Sequence, residues 1–253
     1  MLDDRVREVL ARLEAEDAEG SPDELRCYAV GPDAGRLLFS LVTPNPGCQV
    51  LEIGASHGYS TIWLAAAARI LGGNVVSLES DPARAEVWRR NVAEAGLEEH
   101  AELVEGNALE TLPGLDEGFD LVFLDAWKRD YEALFGLARA KVDPGGVIVA
   151  DNVVSHGEDL AAYVAARQSD PGLVSVTVPV GNGLEVTTVI APSTETGDSH
   201  LLGSWSRSRR TQVTVTSLPF PSAASTVRVG VPRKGGGPVV TDSCSTGSGG
   251  TSG

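Results

Sequence analysis

The feature that most constrains this chain is the stretch Val50–Ser60, which reads Val-Leu-Glu-Ile-Gly-Ala-Ser-His-Gly-Tyr-Ser. It lies at the end of a mostly apolar run, Cys48–Ile53, and a helical pattern follows at once over Thr61–Ile70. This pattern predicts a buried strand that turns sharply into a helix. The two spaced glycines, Gly54 and Gly58, let the backbone adopt conformations that other residues avoid and let a ligand approach closely. The first N–H groups of the helix would then face that ligand.

The same alternation of strand and helix continues along the chain and ends in a hairpin around Gly181-Asn182-Gly183. The predicted strands are Cys48–Ile53, Val75–Glu79, Ala101–Glu105, Asp120–Asp125, Val147–Asp151, Leu173–Val180 and Glu185–Ala191. The predicted helices are Asp3–Ala15, Ala34–Val42 with Asp33 as its cap, Thr61–Leu71, Pro82 to about Ala95, Asn107–Leu112, Tyr131–Lys141 and Glu158–Gln168. Such an order indicates an α/β fold, a doubly wound and mostly parallel seven-stranded sheet with a C-terminal antiparallel hairpin.

The composition divides the chain near residue 192. Residues 1–192 are expected to form one domain, in which residues 1–47 make a helical N-terminal cap segment. Residues 193–253 are rich in Ser, Thr, Gly, Pro and Arg and end in Ser-Thr-Gly-Ser-Gly-Gly-Thr-Ser-Gly. A low-complexity segment with no periodic apolar pattern cannot build a core, so this tail is predicted to be disordered.

The charge and the cysteines narrow the classes of partner. The first 192 residues carry 32 acidic and 14 basic side chains. A body this acidic argues against nucleic-acid binding, which needs Lys and Arg against phosphates. The three cysteines show no CxxC spacing, so they indicate neither a zinc site nor a disulfide framework. There is no signal-peptide pattern and no apolar run approaching the ~20 residues that span a bilayer, so a cytoplasmic enzyme without membrane contact is expected.

Polar side chains stand at the end of every strand in the parallel part of the predicted sheet. They are Glu52, Glu79, Glu105-Gly106-Asn107, Asp125 and Asp151-Asn152. Because ligands of open α/β sheets bind at the carboxyl ends of the strands, these residues are expected to share one active site.

The first two strand ends favour a nucleoside ligand with an amino-acid end. Glu79 ends the second strand, where a carboxylate can accept both hydroxyls of a ribose, although it could also be a charge flanking the next helix. The first turn has the spacing GxxxG rather than GxGxxG, with Ser56 in place of the glycine that admits a pyrophosphate. An adenosyl group is therefore favoured over a dinucleotide. Glu52 and Ser60 could address an ammonium and a carboxylate, and the alternative is an ordinary tight turn.

The last two strand ends favour a metal-assisted proton transfer. Asp125, Asp151 and Asn152 offer carboxylate and amide oxygens, the ligands that Mg²⁺ prefers. A bound cation lowers the pKa of a hydroxyl that it contacts, and Lys128, one turn after Asp125, could take the proton. Asp and Asn also cap helices and form turns, so each residue alone is a weak signal.

Four segments together resemble the class I S-adenosylmethionine-dependent O-methyltransferases of the catechol O-methyltransferase type. They are Val50–Ser60, Glu79, Leu124–Tyr131 (Leu-Asp-Ala-Trp-Lys-Arg-Asp-Tyr) and Ala150–Val153 (Ala-Asp-Asn-Val). The similarity runs from about Tyr28 to Ala191. The resemblance implies that Asp125, Asp151 and Asn152 hold a divalent metal and that Lys128 is the catalytic base. It implies that the methyl donor is bound by Val30, Glu52, Gly54, Ser56, Gly58, Tyr59, Ser60, Glu79, Gly106, Asn107, Ala108, Asp125 and Trp127.

The chain departs from the catechol enzyme at three points within this resemblance. Ala126 stands where that enzyme has a histidine, Ser56 replaces an aromatic residue, and a carboxylate that helps to hold catechol has no match before Gly181. The predicted function is therefore S-adenosylmethionine-dependent, metal-assisted O-methylation of a small catechol-like or vicinal-hydroxyl phenol. Because similar proteins are often dimers, a homodimer is expected. The alternatives are a tRNA hydroxyuridine O-methyltransferase and a donor-binding protein without catalysis, while a dinucleotide oxidoreductase is disfavoured by Ser56.

Overall fold

The computed structural model describes residues 2–17, 22 and 26–190, and the predicted tail, residues 193–253, lies outside them. The strands are β1 (Gln49–Ile53), β2 (Asn74–Glu79), β3 (Ala101–Glu105), β4 (Phe119–Leu124), β5 (Val142–Ala150), β6 (Leu173–Val178) and β7 (Leu184–Val189). The helices are α1 (Asp4–Glu16), α2 (Pro32–Val42), α3 (Tyr59–Ile70), α4 (Pro82–Glu94), α5 (Ala108–Thr111), α6 (Tyr131–Arg139) and α7 (Gly157–Ser169).

The strands form one seven-stranded sheet in the order β3-β2-β1-β4-β5-β7-β6, in which β7 alone runs antiparallel to its neighbours. The order reverses between β1 and β4, because the chain leaves β1 towards β2 and β3 and returns to pair β4 on its other side. Such a reversal opens a cleft at the carboxyl ends of the central strands. The predicted fold class, including the antiparallel hairpin at the end, is confirmed.

Two hydrophobic cores lie on the two faces of the sheet and hold it rigid. On one face α3 is packed under α1 and α2, so that all its residues from Tyr59 to Ala68 are buried. On the other face α6 and α7 bury Tyr131, Phe135 and Tyr163, whose rings meet edge to face. Burying apolar area at roughly 25 cal/mol per Å² makes both layers strongly stabilising. The strand ends between them are therefore held by packing from both sides.

Two local expectations are wrong. Asp33 does not cap α2, because the helix begins at Pro32, two residues before the predicted start at Ala34, with Gly31 as its N-cap, and Asp33 instead pairs with Arg36 at 2.5 Å. The fifth strand, predicted to begin at Val147, already begins at Val142, so the segment 144–146 (Pro-Gly-Gly) lies inside β5 rather than in a turn before it. The pairing with β4 shifts register there, between Phe119 and Leu121, so the segment is an irregularity within a strand rather than a loop. Across the part of the chain that the structure describes, helices capable of crossing a membrane are absent.

Candidate active site

The turn after β1 brings the backbone of the first strand into direct contact with the end of β4. Gly54 has a φ of 95°, and a Cβ added there would lie 2.1 Å from the carbonyl oxygen of Asp125. Any side chain would therefore both strain the backbone and collide with the neighbouring strand. Gly58, with a φ of 89°, is the N-cap of α3, and Ser56 between them also has a positive φ of 48°. Gly54, Ser56 and Gly58 thus form a tight turn that leads directly into the N-terminus of α3.

Glu79, at the end of β2, is held by backbone N–H groups on both of its oxygens. Oε2 accepts from Ser56 N at 2.7 Å, and Oε1 accepts from Ser80 N and Asp81 N at 2.8 Å each. A carboxylate has about four acceptor positions, so one remains for a ligand. Glu79 is therefore a fixed acceptor at the floor of the glycine turn.

Glu52, in β1, is fully buried and is bound by three hydroxyl groups. Oε1 accepts from Ser60 Oγ at 2.5 Å, and Oε2 accepts from Ser77 Oγ at 2.6 Å and from the hydroxyl of Thr61. Burial raises the pKa of Glu52, while the three hydroxyl hydrogen bonds act in the opposite direction. The structure thus places Glu52 behind Ser60, where it fixes the hydroxyl at the start of α3.

At the end of β4, a lysine bridges a carboxylate and a tyrosine. Lys128 Nζ lies 2.9 Å from Asp125 Oδ1, 3.1 Å from the carbonyl oxygen of Ala126 and 3.1 Å from Tyr131 Oη. A short 3₁₀ turn, Lys128–Asp130, connects β4 to α6 and folds the lysine back over the strand end. Lys128, predicted as the catalytic base, thus lies in a salt bridge with Asp125 at the end of β4.

At the end of β5, Asp151 is buried with one oxygen lacking any partner. Its backbone N–H donates to Leu124 O at 3.0 Å, which sets it directly beside the end of β4. The side chain is 1% exposed, and Oδ1 makes no hydrogen bond. Burial, and after it the nearby charge of Asp125, raises the pKa of Asp151 to about 7. Asn152 follows with a φ of 65° and donates from Nδ2 to Ser155 Oγ at 3.3 Å.

Known proteins are similar to this chain in sequence and in fold. A model of the methyltransferase domain matches residues 51–153. Catechol O-methyltransferase from Mycobacterium tuberculosis (strain H37Rv) is 44% identical over 165 residues, which cover 63% of this chain and 73% of that protein. The chain belongs to the catechol O-methyltransferase-like family.

Two further relatives fix the reaction class. A catechol O-methyltransferase from Niastella koreensis is 39% identical over 136 residues, covering 52% of this chain and 61% of that enzyme. The crystal structure of an O-methyltransferase from Bacillus cereus in complex with SAH has 31% identity and a TM-score of 0.62, covering 74% of this chain and 91% of the other. The chain is an S-adenosylmethionine-dependent O-methyltransferase.

In this O-methyltransferase three more of the residues predicted to bind the methyl donor, Gly106, Asn107 and Ala108, lie between β3 and the start of α5. Gly106 has a φ of 134°, and its N–H donates to Glu79 O at 2.9 Å, which ties the end of β3 to that of β2. Asn107 caps α5, which begins at Ala108, by accepting from Leu109 N at 3.0 Å. These contacts place the end of β3 beside Glu79.

Of the other residues predicted to bind the methyl donor, Val30 and Tyr59 are buried and Trp127 is exposed. Val30 is buried just before α2, and the Tyr59 hydroxyl donates to Glu14 of α1 at 2.7 Å. Trp127, in contrast, is 72% exposed after β4, with Arg129 Cζ 5.7 Å from its ring centroid. The structure therefore sets Asp151 beside the end of β4, pairs the strand-end carboxylate Glu105 with Arg89, and leaves Trp127 exposed.

The ends of β4 and β5 offer oxygen ligands to a metal ion. Within residues 2–17, 22 and 26–190, no three or more His, Cys, Asp and Glu side chains are grouped to hold a metal ion. Two carboxylates and one amide are present instead, in Asp125, Asp151 and Asn152. The unpartnered Asp151 oxygen and the repulsion from Asp125 are both conditions that a cation would relieve, so the residues fit a hard divalent ion.

Sequence reasoning missed two residues that shape the site. The sequence indicates Tyr131 as the start of a helix and as the last residue of the segment Leu124–Tyr131, with no role in the site, yet its hydroxyl joins Lys128 to the two strand ends. Arg84 of α4 donates to Ser56 Oγ at 2.7 Å and lies 5.2 Å from the ring centroid of Tyr28, so it closes the glycine turn from outside. The position of Tyr131, three residues after Lys128 on a helical turn, was the one available signal.

Proposed function

We propose that this enzyme transfers the methyl group of S-adenosylmethionine to one hydroxyl of a small catechol-like or vicinal-hydroxyl phenol, with the help of a divalent cation, Mg²⁺ by its ligand chemistry. The observation that carries the proposal is the juxtaposition of Asp125, Lys128 and Asp151. A buried carboxylate with an unpartnered oxygen lies beside a second carboxylate, and an amine lies within hydrogen-bond distance of that second group.

The cation would be held by Asp125, Asp151 and Asn152. Such an ion supplies Lewis-acid polarisation and favours the ionised form of a nearby hydroxyl. Two carboxylates leave room for further oxygen ligands, which suits an acceptor with two adjacent hydroxyls. The family relatives named catechol O-methyltransferase support this acceptor class.

The donor would lie over the glycine turn. Glu79 keeps an acceptor position for the ribose hydroxyls, and Ser60, fixed by Glu52, faces the amino-acid end. Gly54 and Gly58 admit the donor close to the backbone, with Val30, Ser56, Tyr59, Gly106, Asn107, Ala108, Asp125 and Trp127 completing the proposed donor site. Holding both reactants in line supplies a large part of the rate acceleration of such a transfer.

Lys128 would take the proton from the acceptor hydroxyl, whose oxygen then attacks the methyl carbon of the donor. The amine lies 2.9 Å from Asp125 Oδ1 and is one-fifth exposed, so an acceptor can reach it from the cleft. Trp127 and Val154 are exposed apolar residues after β4 and β5 and can form walls for an aromatic ring. The acidic body weighs against a tRNA acceptor.

The test is methyl transfer from isotopically labelled S-adenosylmethionine to a panel of catechols and matched monophenols, with chelator and with metal added back. Catechols should be methylated and monophenols should not, and chelator should abolish the activity reversibly. Lys128→Met should remove turnover, with donor affinity by calorimetry unchanged. Lys141→Met is the matched control, because Lys141 lies at the opposite end of α6 and bonds the carbonyl of Leu115. Chelator-resistant activity would contradict the metal, and an active Lys128→Met would contradict the base.

A further inference from the structure

Ser56, in the glycine turn at residues 54–58, has a backbone conformation that a serine does not favour. Its φ of 48° lies in the left-handed region, which residues with a Cβ enter only at a cost in free energy. In this conformation its N–H donates to Glu79 Oε2 at 2.7 Å. The other two N–H groups on Glu79 belong to Ser80 and Asp81, its next neighbours in the chain. Of these three donors, only Ser56 fixes the carboxylate relative to the glycine turn.

An arginine of α4 holds the side chain of Ser56. Arg84 Nη1 donates to Ser56 Oγ at 2.7 Å and to the carbonyl oxygen of Arg26 at 3.0 Å. A guanidinium carries two hydrogens on each terminal nitrogen, so one nitrogen can make both bonds at once. The Arg84 side chain is 22% exposed, so solvent screens these contacts only in part. One guanidinium therefore ties the glycine turn to the segment that precedes α2.

The segment that precedes α2 is itself anchored. The backbone N–H groups of Tyr28 and Ala29 donate to the two carboxylate oxygens of Asp17 at 2.9 and 3.0 Å. The centroid of the Tyr28 ring lies 5.1 Å from Arg26 Cζ and 5.2 Å from Arg84 Cζ, distances at which a guanidinium is attracted to an aromatic ring. Arg84 is therefore held at a carbonyl and at a ring, and it can hold Ser56 in turn.

We propose that Arg84 is a positioning residue of the donor site, which keeps Ser56 in its left-handed conformation and thereby keeps Glu79 Oε2 directed at the ribose hydroxyls of the donor. The inference rests on the proposed donor site, in which Glu79 accepts from those hydroxyls. Arg84 acts through two hydrogen bonds, first to Ser56 Oγ and then from Ser56 N to Glu79. Its effect is therefore specific to one part of the donor.

A purely structural role for Arg84 makes a different prediction. If Arg84 only stabilises the turn, or only adds positive charge to an acidic body, its loss weakens the binding of every donor-like ligand equally. If Arg84 acts through Ser56 and Glu79, its loss weakens only the binding of ligands that carry ribose hydroxyls. A ligand without these hydroxyls gives Glu79 nothing to accept, so the orientation of the carboxylate has no effect on its affinity.

The experiment measures by calorimetry the binding of S-adenosylhomocysteine and of its 2′,3′-dideoxy analogue to the wild type and to Arg84→Met. The wild type should bind S-adenosylhomocysteine about 10- to 100-fold more tightly than the analogue, as expected for hydrogen bonds to a charged acceptor. In Arg84→Met the affinity for S-adenosylhomocysteine should fall about tenfold, while that for the analogue should stay within about twofold. Because only binding is measured, the result does not depend on the metal or on the methyl acceptor.

Arg90→Met is the matched control, because Arg90 is exposed on the same helix and the substitution removes the same charge. This variant should bind both ligands as the wild type does. Ser56→Ala removes the oxygen that Arg84 contacts, and it should reproduce the selective loss. The double variant Arg84→Met/Ser56→Ala should lose no more than either single variant, because both substitutions break the same series of contacts.

If Arg84→Met fails to fold, Arg84→Lys and Ser56→Ala replace it. Arg84→Lys keeps the positive charge but not the planar guanidinium, so it should show a smaller loss that is again confined to S-adenosylhomocysteine. Melting curves of each variant establish that the comparison is made on folded protein.

The outcomes separate this inference from the function on which it rests. An equal loss for both ligands, or no loss for either, would overturn the role of Arg84, while a wild type that prefers S-adenosylhomocysteine leaves the proposed role of Glu79 in place. A wild type that binds the two ligands equally would remove Glu79 as the acceptor of the ribose hydroxyls and would overturn the inference with it.

Discussion

The two halves of the proposed site, one for the methyl donor and one for the acceptor, hold their carboxylates in opposite ways. In the donor half, at the ends of β1 and β2, Glu52 accepts from three hydroxyls and Glu79 from three backbone N–H groups. In the acceptor half, at the ends of β4 and β5, Asp151 keeps an unpartnered oxygen beside the charge of Asp125. The donor half is therefore complete within the protein, whereas the acceptor half is electrostatically incomplete.

The donor half is therefore preorganised for its ligand, whereas the acceptor half needs a cation to balance its carboxylates. Fixed donors and acceptors hold a ligand without reorganisation, which favours tight donor binding. An unpaired buried carboxylate costs free energy until a cation arrives, so the acceptor half should bind an ion at some expense to the stability of the ion-free protein. Each of the following tests breaks or sharpens that comparison.

The largest effect is expected from Asp151→Asn, which removes the charge from the incomplete half. Loss of a cation's charge stabilisation, worth several kcal/mol, should lower kcat/KM by about a thousandfold. Donor affinity should stay within about twofold, since Asp151 takes part in none of the hydrogen bonds that hold Glu52 and Glu79. Steady-state kinetics and calorimetry with S-adenosylhomocysteine measure both. Equal damage to donor binding would show that the two halves are not separable.

A smaller effect, on the other half, is expected from Glu79→Gln. The amide keeps one acceptor oxygen but places an N–H₂ group against the backbone N–H groups that Glu79 now satisfies. Because hydrogen bonds to a charged group are worth more than neutral ones, donor affinity should fall on the order of 10- to 100-fold. At saturating donor kcat should recover. Titration calorimetry checks the first result, and a persistent loss of kcat would contradict the division into halves.

The smallest effect concerns stability and pH in the absence of divalent metal. Asp151 has a folded pKa of about 7 against an ordinary 3.8, so the folded protein disfavours its charged form. The contribution of Asp151 to stability is therefore full at low pH and is lost as the pH rises between about 4 and 7. The melting temperature should fall by a few degrees across this window relative to Asp151→Asn, and added Mg²⁺ should restore it above pH 7. A wild-type curve that parallels Asp151→Asn would contradict the incomplete acceptor half.

The sequence predicted those parts of the site that depend on strand ends. Asp125 and Asp151 each follow a buried apolar run, and parallel pairing makes them neighbours, as the register of Leu124 with Ala150 confirms. It could not predict which hydroxyls meet Glu52, because that depends on the pairing of Glu52 with Ser77 across two strands. It also misread the start of β5, since Pro-Gly-Gly is typical of turns and only pairing with β4 keeps that segment in a strand.

Tyr131 shows a second limit of local pattern. A tyrosine at the start of a helix reads as an ordinary packing residue, and its ring does pack against Tyr163. The role of its hydroxyl depends on two carbonyls, Leu124 O and Asp151 O, that belong to different strands. Contacts between residues far apart in the chain exist only once the sheet has formed, so no single segment could have revealed them.

The exposed positions of Trp127 and Val154, 72% and 55% accessible, have a practical consequence. Surface residues away from buried networks usually tolerate replacement within about 0.5 kcal/mol. Substitutions at these two positions should therefore leave the fold intact, so their effects on acceptor choice and, for Trp127, on donor binding can be measured without a loss of stability. The exposed residues after β4 and β5 can thus be varied while the buried residues that hold the fold stay unchanged.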